Sequence, residues 1–208
     1  DFTNLPQVVM QGRKVIHNVT RTAGGFFIKT IYSVLVSLFC LIANQPFPFI
    51  PIQITLVDAC IEAYPSFLTI LEADIRRIRG RFLPTAFSHA LPFGAVIALM
   101  IGVISLLAPF TTGERQTVMY LLLIILSMAA VIKSCIPINP LRIFICVTMV
   151  IGTFGALLIL PGLFEVQAVT ASMVVYTIIA ALVCLLLTFF FGKADEKKEK
   201  GIGGETAL

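Results

Sequence analysis

Long apolar runs follow one another along this sequence, and short segments between them carry most of the charged residues. A helix needs about 20 mostly apolar residues to cross a hydrocarbon core about 30 Å thick. Because backbone amides find no water inside lipid, and the alternating pattern of a barrel is absent, these runs predict helices. They predict an all-α, polytopic membrane protein with six transmembrane helices at 22–44, 50–71, 85–109, 116–136, 143–163 and 167–191.

The composition agrees with a membrane protein. Of the 208 residues, 58% are hydrophobic and 12% are charged, and the mean hydropathy is +1.00. An ordinary soluble domain has about 25% charged residues, so this class is excluded.

The positions of the charges predict an orientation. By the positive-inside rule, both termini and the 72–84 loop are expected to be cytoplasmic, because the opposite loops carry only Arg115. The basic residues with no aromatic surface around them exclude nucleic acid as a partner. The residues behind this orientation are Arg13, Lys14, Arg21, Arg76, Arg77, Arg79, Arg81, Lys133, Arg142, Lys193, Lys197, Lys198 and Lys200.

The two ends of the chain are predicted to lie outside the bilayer. Residues 1–21 predict a cytoplasmic stalk, because a helix continuous from Gln7 to Asn44 would be about 57 Å long at 1.5 Å per residue. The alternative is an amphipathic helix on the membrane surface with a break at Gly24–Gly25. The charged segment 192–208 predicts a disordered cytoplasmic tail.

The second apolar run contains two acidic residues, Asp58 and Glu62, four positions apart. At about 100° per residue they share one helix face with Thr55, Ser66 and Thr69. Pro65 lacks an amide donor, which leaves the backbone carbonyl of Ile61 free beside Glu62. Carboxylates, hydroxyls and a free carbonyl are the ligands of a hard cation. A charge at this depth costs a few kcal/mol unless it is compensated, so we predict a functional ion-binding site.

The first apolar run adds Lys29, Thr30 and Ser33 to this prediction. Thr30 and Ser33 are candidate ligands. Lys29 is either a counter-ion for the acids or a residue that extends toward the cytoplasmic interface. The structural alternative for Asp58 and Glu62 is that they only hydrogen-bond neighbouring helices.

The other four runs have no Asp or Glu in their apolar cores and are interpreted as scaffold. Small residues in them are expected to allow close helix packing. These are Gly94, Gly102, Ser127, Gly152 and Gly155.

Two stretches resemble a known family. "GRKVIHN" at 12–18 and "PFPFIPIQITLVDACIEAYPSFLTILE" at 46–72 resemble the fifth and sixth transmembrane helices of P-type cation-transporting ATPases, particularly bacterial Ca²⁺-exporter-like and Mg²⁺-pump-like members. In such pumps the sixth helix carries acidic or amide side chains before a proline, and Asp58, Glu62 and Pro65 match those positions. Ile61 stands where calcium pumps usually have a hydroxyl, and Ser33 where many have an acid, so we expect one ion or a proton-coupled variant.

The resemblance implies a function only as part of a larger protein. The chain has no Asp-Lys-Thr-Gly phosphorylation loop and no Gly-Asp-Gly-x-Asn-Asp hinge. We therefore expect the membrane portion of an ATP-driven pump, helices five to ten, that moves Ca²⁺ or Mg²⁺ across the bacterial plasma membrane. Its expected partners are the lipid bilayer and the N-terminal part of the pump, which would bind ATP and Mg²⁺. The alternatives are a self-contained six-helix secondary transporter or channel subunit, and a membrane scaffold.

Overall fold

The structure, a computed structural model, describes residues 5–69, 82–136 and 138–205. In these ranges it contains helices and no strands, which confirms the all-α prediction. The helices are α1 (Leu5–Ala43), α2 (Pro51–Leu56), a π-helical segment (Val57–Ala63), α3 (Tyr64–Thr69), α4 (Phe82–Leu107), α5 (Thr112–Ser134), α6 (Pro140–Ile159) and α7 (Ala171–Glu205).

Five of the predicted spans are present as helices of sufficient length and apolarity to cross a bilayer. They are Ala23–Ala43, Ala90–Leu107, Thr112–Ser134, Pro140–Ile159 and Ala171–Phe191. The acidic span is helical from Pro51 to Thr69 but divided by the π-helical segment, and residues 70–81 lie outside the described ranges. A sixth crossing and the cytoplasmic location of both termini therefore stay predictions.

The helices at the two ends are longer than their membrane spans. Helix α1 is continuous through Gly24 and Gly25, as the main prediction requires, so the break of the alternative interpretation is absent, and its 39 residues extend about 58 Å. Helix α7 continues to Glu205, past the predicted end of the last span at residue 191. The disordered cytoplasmic tail at 192–208 stays a prediction.

The core of the molecule lies around α5. This helix has an almost continuous run of buried residues from Thr117 to Leu126, because α4, α7 and the π-helical segment pack around it. Helix α1 packs mainly against α4. A Cβ atom at Gly94 would come within 2.6 Å of the Ile31 side chain, so these two helices approach closely there.

Only part of the prediction for small residues is correct. A Cβ at Gly102 would contact the ring of Phe39, as close helix packing requires, whereas no atom lies within 4 Å of a Cβ at Gly152 or Gly155. Those two glycines do not mediate helix packing among the described residues.

Polar contacts fix two connections at one end of the bundle, where α4 ends and α5 begins. Arg115 donates to the backbone carbonyls of Ser105, Ala108 and Phe110, which satisfies the C-terminal end of α4. Gln53 donates to the carbonyl of Phe164 at 2.8 Å, and the Tyr120 hydroxyl donates to the Gln53 carbonyl at 3.1 Å. The start of α2 is thereby attached to α5 and to the loop before α7.

Candidate ion-binding site

The helix from Pro51 to Thr69, which carries Asp58 and Glu62, is called the acidic helix below. Its backbone is unusual between Val57 and Ala63. The Tyr64 amide donates to the carbonyl of Ala59, five residues back, so this segment is a π-helix inside a longer helix. The sequence predicts an ordinary α-helix here, and that expectation is wrong. Segments of this kind occur frequently at functional sites.

The π-helical register changes the expected effect of Pro65. In an α-helix, the missing amide of Pro65 would have bonded to the carbonyl of Ile61. In the register of Tyr64 and Ala59, the carbonyl five residues back from Pro65 is that of Cys60. In this register the amide that Pro65 lacks is the partner of the Cys60 carbonyl, one residue before the Ile61 carbonyl that the sequence predicts to be free.

Asp58 is paired with Lys29 across two helices. The Lys29 ammonium lies 2.5 Å from Oδ2 of Asp58, and both side chains are partly buried. Of the two positions that the sequence allows for Lys29, the structure shows the one beside the acids. The ion pair occupies only Oδ2 of Asp58. The other oxygen, Oδ1, is buried and has no hydrogen-bond partner among the described residues.

Glu62 lies deeper in the protein. Only 8% of this residue is exposed, and its Oε2 atom is buried without a hydrogen-bond partner in the described part of the chain. Glu62 lies about one helical turn after Asp58, the partner of Lys29. A buried carboxylate oxygen with no donor is costly, so an additional group at this place would be stabilising.

A cavity of about 260 Å³ opens beside Glu62. The acidic helix lines it with Ile61, Glu62, Pro65, Ser66 and Thr69. Helix α1 contributes Gly24, Gly25 and Ile28, helix α4 contributes Ala90 and Phe93, and the segment from Ser127 to Cys135 provides the facing wall.

The cavity follows the bundle toward the end of α5. From Ser127 to Cys135 it extends about 12 Å along the helix. Lys133 lines the far end, where its ammonium lies 5.1 Å from the centre of the Phe93 ring. The cavity therefore connects a buried carboxylate with a basic residue near the loop after α5.

The structure does not bring every predicted ligand into this site. Thr30 and Thr55 are exposed, and each hydroxyl donates within its own helix, to Phe26 and Pro51 respectively. Ser33 is half-buried on α1. Of the predicted face, Glu62, Ser66 and Thr69 lie on the cavity wall, together with Ile61 and Pro65, whereas Thr55 and Asp58 do not line it.

Sequence reasoning missed one polar residue at this site, Tyr32. It is 1% exposed, its hydroxyl is buried, and no described residue bonds to it. It lies about one helical turn after Lys29, the partner of Asp58, on α1. A tyrosine in an apolar run looks like a core residue, so only its position three residues after Lys29 could have indicated a shared face.

The described residues alone provide few ligands for a cation. No group of three or more His, Cys, Asp or Glu side chains lies together within these ranges. Two carboxylates, a hydroxyl and carbonyls fit a hard cation such as Ca²⁺ or Mg²⁺, which takes six or more oxygens. Further oxygens would have to come from water or from other parts of a larger protein.

Comparisons with known proteins bear on this arrangement. No protein-family model matches the chain. The chain is 29% identical over 201 residues to the probable cation-transporting ATPase exp7 of Streptococcus pneumoniae, a match that covers 86% of the chain and 26% of that protein. It is 39% identical over 108 residues to the calcium-transporting ATPase CtpE of Mycobacterium bovis, covering 47% of the chain and 14% of that protein.

The CtpE protein of Mycolicibacterium smegmatis is 33% identical over 106 residues. The chain thus spans about a quarter or less of the length of these relatives. The relatives support the resemblance of this chain to the membrane region of a P-type cation-transporting ATPase.

Proposed function

From its relation to the membrane region of P-type cation-transporting ATPases, we propose that this chain forms part of the ion pathway of an ATP-driven cation pump. Asp58 and Glu62 receive the cation during transit, and α1 couples their movement to ATP hydrolysis in the rest of the protein. The observation that carries this proposal is the pair of buried, unpartnered carboxylate oxygens, Oδ1 of Asp58 and Oε2 of Glu62, on one π-helical turn.

The energetics favour an ion between these residues. Each unpartnered oxygen loses its hydration without gaining a donor, which costs about 1–3 kcal/mol or more for a charged group. A cation that shares both carboxylates would remove this cost. The carbonyl that Pro65 leaves without its donor and the Ser66 hydroxyl offer neutral ligands near Glu62.

Lys29 has a direct role in this proposal. Its ammonium neutralises Asp58 when no cation is bound, and it competes with the cation for the same carboxylate. A competing internal cation weakens binding and helps release, which a pump needs on the side where it delivers its ion. The cavity beside Glu62 gives the second carboxylate a separate route toward the end of α5.

The choice between Ca²⁺ and Mg²⁺ rests on the relatives. The CtpE proteins are named calcium-transporting ATPases, which favours Ca²⁺ for this chain. The hydrophobic Ile61 side chain is buried, so only its carbonyl is a candidate ligand. We propose one bound ion in this part of the pathway.

The surface of α1 supports a partner beyond this chain. Few residues of its membrane span, Ala23–Ala43, are buried within this chain. The side chains exposed along one side are Val34, Leu38, Leu41 and Ile42. We assign this surface to lipid and to the N-terminal helices of the pump, in a bacterial plasma membrane. The ATP site and its Mg²⁺ would be in the cytoplasmic domains of that part.

The proposal is tested by removing charge while keeping shape. Asp58→Asn and Glu62→Gln in the full-length pump should each raise the half-saturating concentration of CaCl₂ or MgCl₂ for ATP hydrolysis at least about tenfold, since a lost charged hydrogen-bond partner costs about 1.5–3 kcal/mol. Cation-dependent phosphate release from purified protein measures this.

Glu114→Gln is the matched control, because Glu114 caps the start of α5 through Thr111 and glutamine keeps that cap. It should leave the half-saturating concentration unchanged. If the Asp58 and Glu62 variants keep the wild-type cation dependence and maximal rate, the carboxylates are structural and the proposal is wrong.

A further inference from the structure

The buried hydroxyl of Tyr32 is not explained by packing alone. Its ring belongs to the buried core of α1, yet its hydroxyl has no hydrogen-bond partner in the described ranges. The other polar atoms left without partners nearby are Oδ1 of Asp58 and Oε2 of Glu62. Tyr32 lies one turn after Lys29 on α1, and Lys29 pairs with Asp58, so the three unpartnered oxygens belong to the two helices that this ion pair joins.

Two other tyrosines of the bundle show the usual arrangement. The Tyr120 hydroxyl donates to the carbonyl of Gln53, and the Tyr64 hydroxyl pairs with that of Thr148 at 2.7 Å. Buried tyrosine hydroxyls normally find such a partner. A phenylalanine at position 32 would fill the same space without the cost of an unbonded hydroxyl.

On the basis of the proposed function, we propose that Tyr32 is a further ligand of the cation site and contributes a neutral oxygen from α1. The cation lies between the Tyr32 hydroxyl, Oδ1 of Asp58 and Oε2 of Glu62, and it satisfies all three atoms at once. Lys29 lies three residues before Tyr32 and holds the remaining oxygen of Asp58. Helix α1 thus supplies one competitor of the cation and one ligand.

A neutral oxygen is well suited to this place. Once the cation displaces Lys29 from Asp58, the two carboxylates balance a divalent ion, and a third acid would have to be desolvated without a partner. A hard cation needs more oxygens than the acids provide, and a phenol adds one without adding charge. The unbonded hydroxyl destabilises the cation-free protein and stabilises the cation-bound protein. Its removal should therefore stabilise the first and destabilise the second.

The experiment compares Tyr32→Phe with Tyr120→Phe in the full-length pump. Thermal unfolding is followed with and without increasing CaCl₂ or MgCl₂, using whichever salt stabilises the wild type. Without the salt, Tyr32→Phe should unfold at or above the wild-type temperature, because it removes an unbonded hydroxyl. Tyr120→Phe should unfold below it, because it removes a hydrogen bond.

With the salt, Tyr32→Phe should need a concentration about fivefold higher or more for half of the stabilisation, the loss expected for one hydrogen-bond-strength contact. Tyr120→Phe should need the wild-type concentration. An unchanged half-stabilising concentration for Tyr32→Phe, or an equal increase in both variants, would overturn the assignment of Tyr32.

Asp58→Asn and Glu62→Gln separate this outcome from failure of the proposed function. If they lose the cation effect and Tyr32→Phe keeps it, the site stands without Tyr32 as a ligand. If all three variants keep it, the proposed function fails together with this inference.

Discussion

Most polar side chains in the bundle donate their hydrogen bonds to backbone carbonyls. Thr30, Thr55 and Thr69 donate within their own helices, and Arg115 satisfies carbonyls at the end of α4. Buried polar atoms without a partner are therefore informative. In the described ranges three of the four belong to Tyr32, Asp58 and Glu62, on the two helices that the Lys29–Asp58 ion pair joins, and the fourth is Nε of Arg115.

The first prediction concerns Lys29. Lys29→Met keeps the length of the side chain and removes its positive charge, so the cation no longer competes with an ammonium for Asp58. We expect the half-saturating concentration of the divalent cation to fall about tenfold, which corresponds to about 1.4 kcal/mol. Cation-dependent ATP hydrolysis by the full-length pump measures this change.

The maximal rate of the same variant should decrease, because a more tightly held ion leaves more slowly. A rise in the half-saturating concentration would contradict this account. It would mean that Lys29 holds Asp58 in position for the ion and does not compete with it.

The helices show which features a sequence pattern can predict. Apolar runs of the right length predicted α1, α4, α5, α6 and the membrane part of α7, because desolvation of the backbone leaves few alternatives to a helix in lipid. The π-helical segment could not be predicted in this way. One residue is inserted into the hydrogen-bond register, and the packing against α5 and α6 that accompanies it joins parts of the chain far apart in sequence.

The same limit applies to the site. The spacing of Asp58, Glu62 and Ser66 predicted one face, whereas the pairing of Lys29 with Asp58 and the burial of Tyr32 depend on how α1 lies against the acidic helix. For Gly152 and Gly155, the sequence predicted helix contacts that the described residues do not make. Small residues allow close packing, but only an approaching helix makes use of them.

The second prediction concerns the cavity between α1 and α5. Gly25→Leu should fill part of it without a steric clash, since no atom lies within 4 Å of a Cβ at this position. If the cavity is a route to Glu62, this variant should lower the rate of cation-dependent ATP hydrolysis severalfold. Folding should be retained, as judged by the elution volume of the purified protein.

Gly152→Leu is the control, because Gly152 is exposed on α6 and also has open space at its Cβ. It adds the same volume outside the cavity and should leave the rate unchanged. Equal rates for Gly25→Leu and the wild type would mean that ions and water reach Glu62 by another path.

At the scale of the whole molecule, many large apolar side chains are exposed, whereas Glu62 is buried and Lys29 and Asp58 are partly buried. Helices α6 and α7 expose large hydrophobic side chains along most of their length, among them Ile151, Leu158, Val175 and Leu186. Such a surface is stable only against lipid or other apolar helices. Charge distribution, and not packing, then decides which way the bundle faces across the bilayer.

The third prediction tests that orientation. In a variant without the five native cysteines, a cysteine at Gly113 should react with a membrane-impermeant thiol reagent added to intact cells, and one at Gly80 should not. Labelling of the purified protein in detergent controls for intrinsic reactivity. The opposite pattern in cells would place both termini outside the cytoplasm.

The hydrogen bond from the Gln53 side chain to the Phe164 carbonyl holds the start of the acidic helix in place. If the helix tilts about this point, the displacement of each residue grows with its distance from Gln53. At 1.5 Å per residue, Asp58 lies about 8 Å and Glu62 about 14 Å from Gln53, so a tilt of about 10° would shift them by about 1.3 and 2.4 Å. Such a tilt leaves the distance between the two carboxylates unchanged, because both lie on one helix. It would instead move Glu62 relative to α1 nearly twice as far as Asp58, so the two acids would stay together while their surroundings on α1 change.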